Sequence, residues 1–233
     1  MLFKFIKKGD VYKLYVTELW KKTYPGACVG LMVLSNVFTI GQCIELEKRK
    51  CNLEINLREK FRNEEELSGH EAIKVYNAYY KRYSKTYHVL QQLKSIIFKG
   101  KSIPDAGGLV EAMFMAELKN CLLTAGHDYE TLKFPLKLDV GMGNEKYVLM
   151  NGKEEIVKRG DMMIADTEGI ISSVIYGPDS RSRITNGTQK VVFVVYAPSG
   201  ILKDVVLGHL SDIYAYAQLA SPNAKIERQE VYS

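Results

Sequence analysis

Six consecutive residues, Val191-Val192-Phe193-Val194-Val195-Tyr196, are all apolar or aromatic, and four of them are valine. Branching at Cβ costs rotamer freedom in a helix and suits a pleated sheet, so this run reads as a strand. Apolar residues at every position, rather than every second one, need cover on both faces. The chain must therefore build a sheet and find layers for both of its sides.

Most material for those layers lies earlier. From about Glu45 to Arg62, Leu46, Leu53, Leu57 and Phe61 recur at helical spacing. A second helix is predicted from about Gly69 to Ser84, with Ile73, Tyr76, Tyr80 and Tyr83 on one face. The next runs through about Phe98 on Tyr87, Leu90, Leu93 and Ile97. Gly100 between Lys99 and Lys101 is a helix C-terminus, and Pro104 confirms the stop. Gly107 through Leu123 reads as one more helix, carried by Leu109, Val110, Met113, Phe114, Ala116 and Leu118, with Gly126 closing the segment.

Strands flank this helical block. Tyr12–Leu19 and Ala27–Val37 are predicted strands around a Pro25-Gly26 turn, with a loop over Asn36 to Gly41. From Asp128 onward come short strands: Leu136–Val140, Lys146–Met150, Glu155–Val157, Met162–Ala165, Ile170–Tyr176 and Gln189–Ala197. Asn151-Gly152 between apolar stretches is a hairpin signal. A last helix from about Ile201 to Ala220 and an edge strand within Ser221–Ser233 complete the reading. Clustered helices followed by clustered strands predict an α+β fold, not a doubly wound one. With no repeat, low-complexity tract or linker, residues 1–233 are expected to form a single domain.

Composition excludes several classes. A hydrophobic share of 46% and a charged share of 25% support a folded core without metal or disulfide staples. The apolar stretch at Ala27 to Val33 is far too short to span a bilayer, and the opening Met1–Lys8 lacks a secretory pattern, so a cytoplasmic protein is expected. Cys28, Cys43, Cys51 and Cys121 have neither CxxC spacing nor a histidine placed for zinc, so structural thiols and no metal are expected. The net charge of +5 is uneven. Residues 1–100 carry 18 Lys+Arg against 10 Asp+Glu, and residues 101–233 carry 14 against 17. A basic half suits a protein with one phosphate-facing surface, and equally a solvated lysine-rich one.

No cofactor motif emerges. Gly141-Met142-Gly143 lacks the third glycine of a dinucleotide loop and opens no helix, and there is no P-loop, GxSxG or HExxH. Three places carry chemistry. In Gly126-His127-Asp128-Tyr129, a post-helical loop, His127 is a candidate general base beside Asp128; otherwise Asp128 caps a turn and His127 packs or faces water. The loop through Tyr176, Gly177, Asp179, Arg181, Arg183 and Thr185 could grip a phosphate, carboxylate or amino-acid head group. Its alternative is a polar loop with surface arginines. Between Lys74 and His88, Lys81, Arg82 and Lys85 are interleaved with five tyrosines, which could stack on bases or form core.

The stretch from Lys99-Gly-Lys-Ser-Ile-Pro-Asp-Ala-Gly-Gly-Leu-Val-Glu-Ala to Ala-Gly-His-Asp128-Tyr-Glu-Thr-Leu132 resembles a known family. So do Gly160-Asp161-Met-Met-Ile-Ala-Asp166, Tyr176-Gly177, and Ile184-Thr185 and Thr188 leading into Val191–Tyr196. The family is the tRNA-binding and editing module of the phenylalanyl-tRNA synthetase β chain, its third and fourth domains, and the free-standing proteins built from that module. The resemblance spans about residues 10–230. It implies a three-layer α+β fold of mixed β-sheets and flanking helices, with a pocket that in the synthetase hydrolyses tyrosine wrongly attached to phenylalanine tRNA. Gly126, Tyr129, Tyr176, Gly177, Asp179, Arg181, Arg183, Thr185 and Thr188 would line that pocket, with His127 and Asp128 catalytic. Lys81, Arg82, Lys85, Lys99 and Lys101 would meet tRNA phosphates. The bacterial editing site's threonine, histidine and glutamate fall at Met113, Ala125 and Val194, so tyrosine selectivity of the usual kind is not carried over.

Two functions follow as expectations. One is binding of tRNA or aminoacyl-tRNA, with hydrolysis of mischarged aminoacyl-tRNA in trans as its enzymatic form. The other is binding of an amino-acid-like small molecule without catalysis. A protein-interaction module is the fallback, and ligation is disfavoured because no ATP-binding motif is present.

Overall fold

In a computed structural model of the chain, residues 14–38 and 43–233 are described. The elements begin with β1 (Leu14–Val16), α1 (Glu18–Thr23), β2 (Cys28–Ser35), α2 (Ile44–Lys60), α3 (Glu64–Gly69), α4 (Glu71–Lys81), α5 (His88–Lys99) and α6 (Gly108–Asn120). There follow β3 (Leu123–Asp128), a 3₁₀ turn (Tyr129–Thr131), β4 (Leu136–Val140), β5 (Lys146–Val148) and β6 (Glu154–Ile156). The last are β7 (Met162–Ala165), β8 (Ile170–Ser173), β9 (Gly177–Pro178), β10 (Lys190–Ala197), α7 (Lys203–Ala220) and β11 (Lys225–Tyr232). The fold is α+β. It divides into two compact units, one of residues 1–25 and 131–183, the other of residues 26–130 and 184–233.

The larger unit, residues 26–130 and 184–233, holds an antiparallel sheet in the order β11-β2-β10-β3. β10 lies inside it, and every residue from Val191 to Ala197 is buried, as an all-apolar strand requires. Helices α6 and α7 cover the sheet, and α2 packs behind both. Two glycines let that layer close in. A Cβ on Gly30 would lie 2.5 Å from Val206 Cγ1, and one on Gly108 2.5 Å from Ala220 Cβ. Behind α4 and α5 the tyrosines form core: Tyr76 and Tyr87 stack at 4.4 Å and 10°. Gly100 ends α5 in the left-handed conformation at φ 64°, which a residue without Cβ adopts at little cost.

The smaller unit, residues 1–25 and 131–183, holds a mixed sheet in the order β1-β4-β7-β8-β9 and the hairpin β5–β6. β1 pairs parallel with β4, and the remaining pairs are antiparallel. Tyr147, Val157, Met163, Ala165 and Ile170 form a buried cluster in it.

Several sequence-based bounds move. The predicted helix to Leu123 stops at Asn120, where Cys121 takes a left-handed φ of 58° and turns the chain into β3. Leu122 and Leu123 prolong the helical apolar period, and nothing in the sequence marks that turn. His127 and Asp128 therefore lie in a strand, not a post-helical loop. The predicted strand Tyr12–Leu19 gives way to α1 after Val16, because Thr17 caps it by accepting from Trp20 N at 3.1 Å. Tyr12 and Lys13, and Thr39 to Gly41 of the expected loop, lie outside the described residues. Helix α3, unforeseen, starts from Asn63, whose side chain accepts from Glu66 N at 2.8 Å while Glu66 accepts from Arg62 N at 2.7 Å. Among the described residues, no helix is long and apolar enough to cross a membrane.

Candidate functional site

The site in the larger unit grows from the ends of β3 and β10. Successive residues of a strand face opposite sides, so Gly126 and Asp128 share one face of the sheet and His127 takes the other. His127 is completely buried, opposite Val192 of β10. A Cβ on Gly126 would lie 2.7 Å from Ile184 Cδ1 and 3.3 Å from Met113 Sδ, so glycine here serves close packing. The Asp128 carboxylate accepts from Thr188 Oγ1 at 2.6 Å and from Glu130 N at 3.0 Å. Thr188 Oγ1 in turn accepts from Thr185 N at 2.9 Å. One buried carboxylate thus ties the turn after β3 to the loop before β10.

Beside this knot opens a cleft of about 630 Å³, inside the range typical of ligand sites. Its walls come from Ser35, Asn36, Val37 and Phe38 after β2, Glu130, Gln189 and Lys190, and Asn223 and Lys225 before and in β11. Lys190 stands 4.1 Å from the Tyr129 ring centroid and pairs with Glu227 at 2.5 Å. Ser221 Oγ accepts from Phe38 N and donates to Phe38 O, fixing that wall. The cleft is lined by neighbours of the expected residues rather than by those residues. Asp128 and Thr188 bond each other inside, and Glu130, Gln189 and Lys190 face the opening. The sequence put these other walls in the predicted strand Ala27–Val37, the loop from Asn36 and the edge-strand segment Ser221–Ser233, with no sign that they meet.

Of the expected loop 176–185, residues 176–183 belong to the smaller unit and are knotted by charge. Arg181 donates to Asp166 Oδ2 at 2.8 Å and to Thr131 O at 2.9 Å, with Glu168 at 3.6 Å and Asp179 at 3.5 Å. Asp166 also accepts from the backbone N–H groups of Lys133, Glu168 and Gly169. Asp179 accepts from Ser182 N at 3.1 Å and from its hydroxyl; burial raises the Asp179 pKa, while Ser182 and Arg181 oppose the rise. Tyr147 OH donates to Gly177 O at 2.9 Å, and Lys158 lies 5.9 Å from the Tyr176 ring. Arg183 is exposed.

The expected phosphate contacts form two groups. Lys81, Arg82 and Lys85 lie exposed at the end of α4, and Lys99 and Lys101 lie exposed at the end of α5. The twelve residues of α5 separate them, a rise of about 18 Å. The Arg82 guanidinium sits 4.2 Å over Tyr79. Tyr76, Tyr79, Tyr80 and Tyr87 are buried, so these rings make core and offer no face to a base.

The Lys99–Gly107 turn is pinned from below. Ile103 N donates to Glu54 at 2.7 Å, and Ala106 N to Glu111 at 2.9 Å. Glu47, Asp105 and Glu111 converge closely enough to hold a cation. The Lys50 ammonium already stands among them, bonded to Glu47 at 2.7 Å and to Asp105, with Glu111 at 3.9 Å. Burial alone would lower the Lys50 pKa, but those carboxylates raise it. The four cysteines are free thiols; burial pushes Cys121 up to about 11, which makes it a poor nucleophile.

An α+β protein with a polar, lysine-bearing cleft at the strand ends of the larger unit's sheet is what these observations define. No protein-family model matches the sequence, and no curated protein does. Among solved structures, an N-terminal fragment of the phenylalanyl-tRNA synthetase β subunit from Pyrococcus horikoshii aligns with 95% of this chain, at 13% identity and a TM-score of 0.49. This weak overall similarity takes in 54% of that fragment, so the chain spans about half its length.

Proposed function

We propose that this chain binds tRNA or aminoacyl-tRNA, with the cleft beside Asp128 receiving a single-stranded end. The observation that carries the reading is the 2.6 Å hydrogen bond from Thr188 to Asp128. Those two residues belong to the two separate sequence blocks that resemble the synthetase module, and their neighbours Glu130 and Gln189 line an open cleft. Lys190 and Lys225 on that wall suit phosphate, and Asn36, Gln189 and Asn223 supply amides for base or ribose edges.

Binding is favoured over tyrosine-selective hydrolysis. Ala125 and Val194, at the positions of the family's histidine and glutamate, face each other across β3 and β10, and both are buried. Met113 is buried as well. An apolar trio offers nothing to a tyrosine hydroxyl. Hydrolysis in trans would need water positioned by other groups, and His127 is sealed inside the sheet. The second reading, an amino-acid-like ligand without catalysis, is favoured by the cleft's volume alone.

Titration of tRNA against the full chain at 50 and 200 mM salt separates them. Phosphate contacts predict that affinity falls at least tenfold across that range, on the order of what a few released counterions give. Double substitution of Lys190→Ala and Lys225→Ala should weaken binding and flatten that dependence. Binding indifferent to salt, or thermal stabilisation by a free amino acid but not by tRNA, would favour the small-molecule reading instead.

A further inference from the structure

A second polar groove lies on the larger unit, and none of its lining residues is one that the resemblance assigns. Arg49, Asn52, Asn56 and Lys60 recur along α2 at spacings of three, four and four, which sets them in one stripe. The eleven helical steps from Arg49 to Lys60 make that stripe about 16 Å long. Leu53 and Leu57 form its buried floor. Lys119 and Asn120 at the end of α6, with Tyr216 of α7, face the stripe across a groove of about 460 Å³.

The groove wall on α6 is built rather than incidental. Asn120 Nδ2 reaches Asp212 Oδ2 at 2.8 Å and His209 Nδ1 at 3.1 Å, and Lys119 pairs with Asp212 at 2.6 Å. His209 is buried and in turn meets Thr124 Oγ1 at 2.7 Å. The lining contains three cations, three amides and one phenol, and no carboxylate. Glu45 lies 3.5 Å from Arg49 at the margin. Lys60 has no carboxylate within ion-pair distance among the described residues; its ammonium stands 5.0 Å from the Phe61 ring. Burial raises the Tyr216 pKa, so its ring stays neutral.

Cations along a trough, interleaved with amides and one half-buried aromatic ring, are the parts of a site for unpaired nucleotides. Phosphate alone needs neither the amides nor the length. We propose that this groove binds a short single-stranded stretch of RNA. The phosphodiester backbone runs along Arg49, Lys60 and Lys119, and a base packs against Tyr216 with its edge on Asn52 and Asn56. The proposal rests on the RNA-binding reading above and adds a second contact surface to it.

The test uses the full chain, a labelled single-stranded RNA decamer and tRNA, with binding read by anisotropy. Lys60→Glu should weaken decamer binding about tenfold and reduce the salt slope by about one. Asn56→Ala should weaken it about threefold and leave the salt slope unchanged, since an amide releases no counterion. Lys60 and Asn56 are both exposed, so these variants are expected to melt with the wild type. If tRNA binds but neither variant alters tRNA or decamer binding, the groove assignment is overturned while the RNA reading stands. If neither RNA binds the wild type, both fall. Competition by polyphosphate or an acidic peptide equal to that by the decamer would show that the groove reads charge alone, and would also overturn the assignment.

Discussion

The two loops that drew attention in the sequence are held by opposite means. In the smaller unit, the loop to Arg183 is tied by a guanidinium among Asp166, Glu168 and Asp179. In the larger unit, the ends of β3 and β10 are tied by Asp128 to the Thr188 hydroxyl and the Glu130 backbone N–H. An arginine in a polar loop looks like a hand held out to a ligand. Here it is turned inward, because a buried Asp166 carboxylate needs a partner more than solvent needs a guanidinium. The turn tied through the Thr188 hydroxyl is the one beside an open cleft with lysines at its mouth.

The sharpest way to break this contrast is to remove each carboxylate. Asp166→Ala deletes the acceptor for three backbone N–H groups and for Arg181, and should cost roughly 3 kcal/mol or more. Asp128→Ala deletes the acceptor for the Thr188 hydroxyl and for Glu130 N and should cost about 2 kcal/mol. Urea unfolding of both variants gives the order. A costlier Asp128→Ala would mean the hydroxyl knot, not the charge knot, is the stronger tie.

A second contrast concerns carboxylates that burial pushes upward. Asp179 has Arg181 and Ser182 to oppose the rise. Glu117, in the larger unit, has only Thr124 N at 2.6 Å, and burial carries it to about 8. His209 nearby is driven the other way, to about 3, also by burial. Folded Glu117 keeps its proton while the unfolded chain loses it near 4.5, so its contribution is complete below 4.5 and declines until about 8. Folded His209 stays neutral while the unfolded chain protonates near 6.5, so its contribution is complete above 6.5 and declines toward 3. Between 4.5 and 6.5 the slopes oppose, and from 6.5 to 8 only that of Glu117 remains. Stability should fall by about 2 kcal/mol over that last window, and Glu117→Gln should remove the fall. Denaturant midpoints at pH 6.5 and 8 for both proteins decide it; an unchanged fall in the variant would put the titrating group elsewhere.

How much of this was legible in the sequence depended on local markers. Val191–Tyr196, Gly100, Asn151-Gly152 and the stripes of Leu46, Leu53 and Leu57 each declare their conformation within a few residues. Asn63 with Glu66 has the spacing of a helix start. The turn at Cys121 had no marker, because a left-handed non-glycine residue is set by its surroundings. The same limit applied to the site. Asp128 and Thr188 stand sixty residues apart, and neither their bond nor the inward turn of Arg181 follows from spacing. The cleft walls at Ser35–Phe38 and Asn223–Lys225 come together only through the β11-β2-β10 pairing. The α2 stripe of Arg49, Asn52, Asn56 and Lys60 was visible in principle, as cations and amides at helical spacing, but a helical polar face ordinarily means solvent.

The smallest effect sharpens the comparison inside one loop. Arg181 and Arg183 are two residues apart and were indistinguishable as ligand contacts. Arg181→Ala leaves Asp166 without its cation and should cost about 1–3 kcal/mol, discounted toward the lower end because the side chain is 33% exposed. Arg183 is exposed and forms no ion pair among the described residues, so Arg183→Ala should stay within about 0.5 kcal/mol of the wild type. The pair therefore separates folding from binding. If Arg183→Ala keeps its melting temperature yet loses tRNA affinity, the ligand contact expected of this loop is carried by its second arginine. If it keeps both, the loop is a structural knot, and recognition belongs to the larger unit.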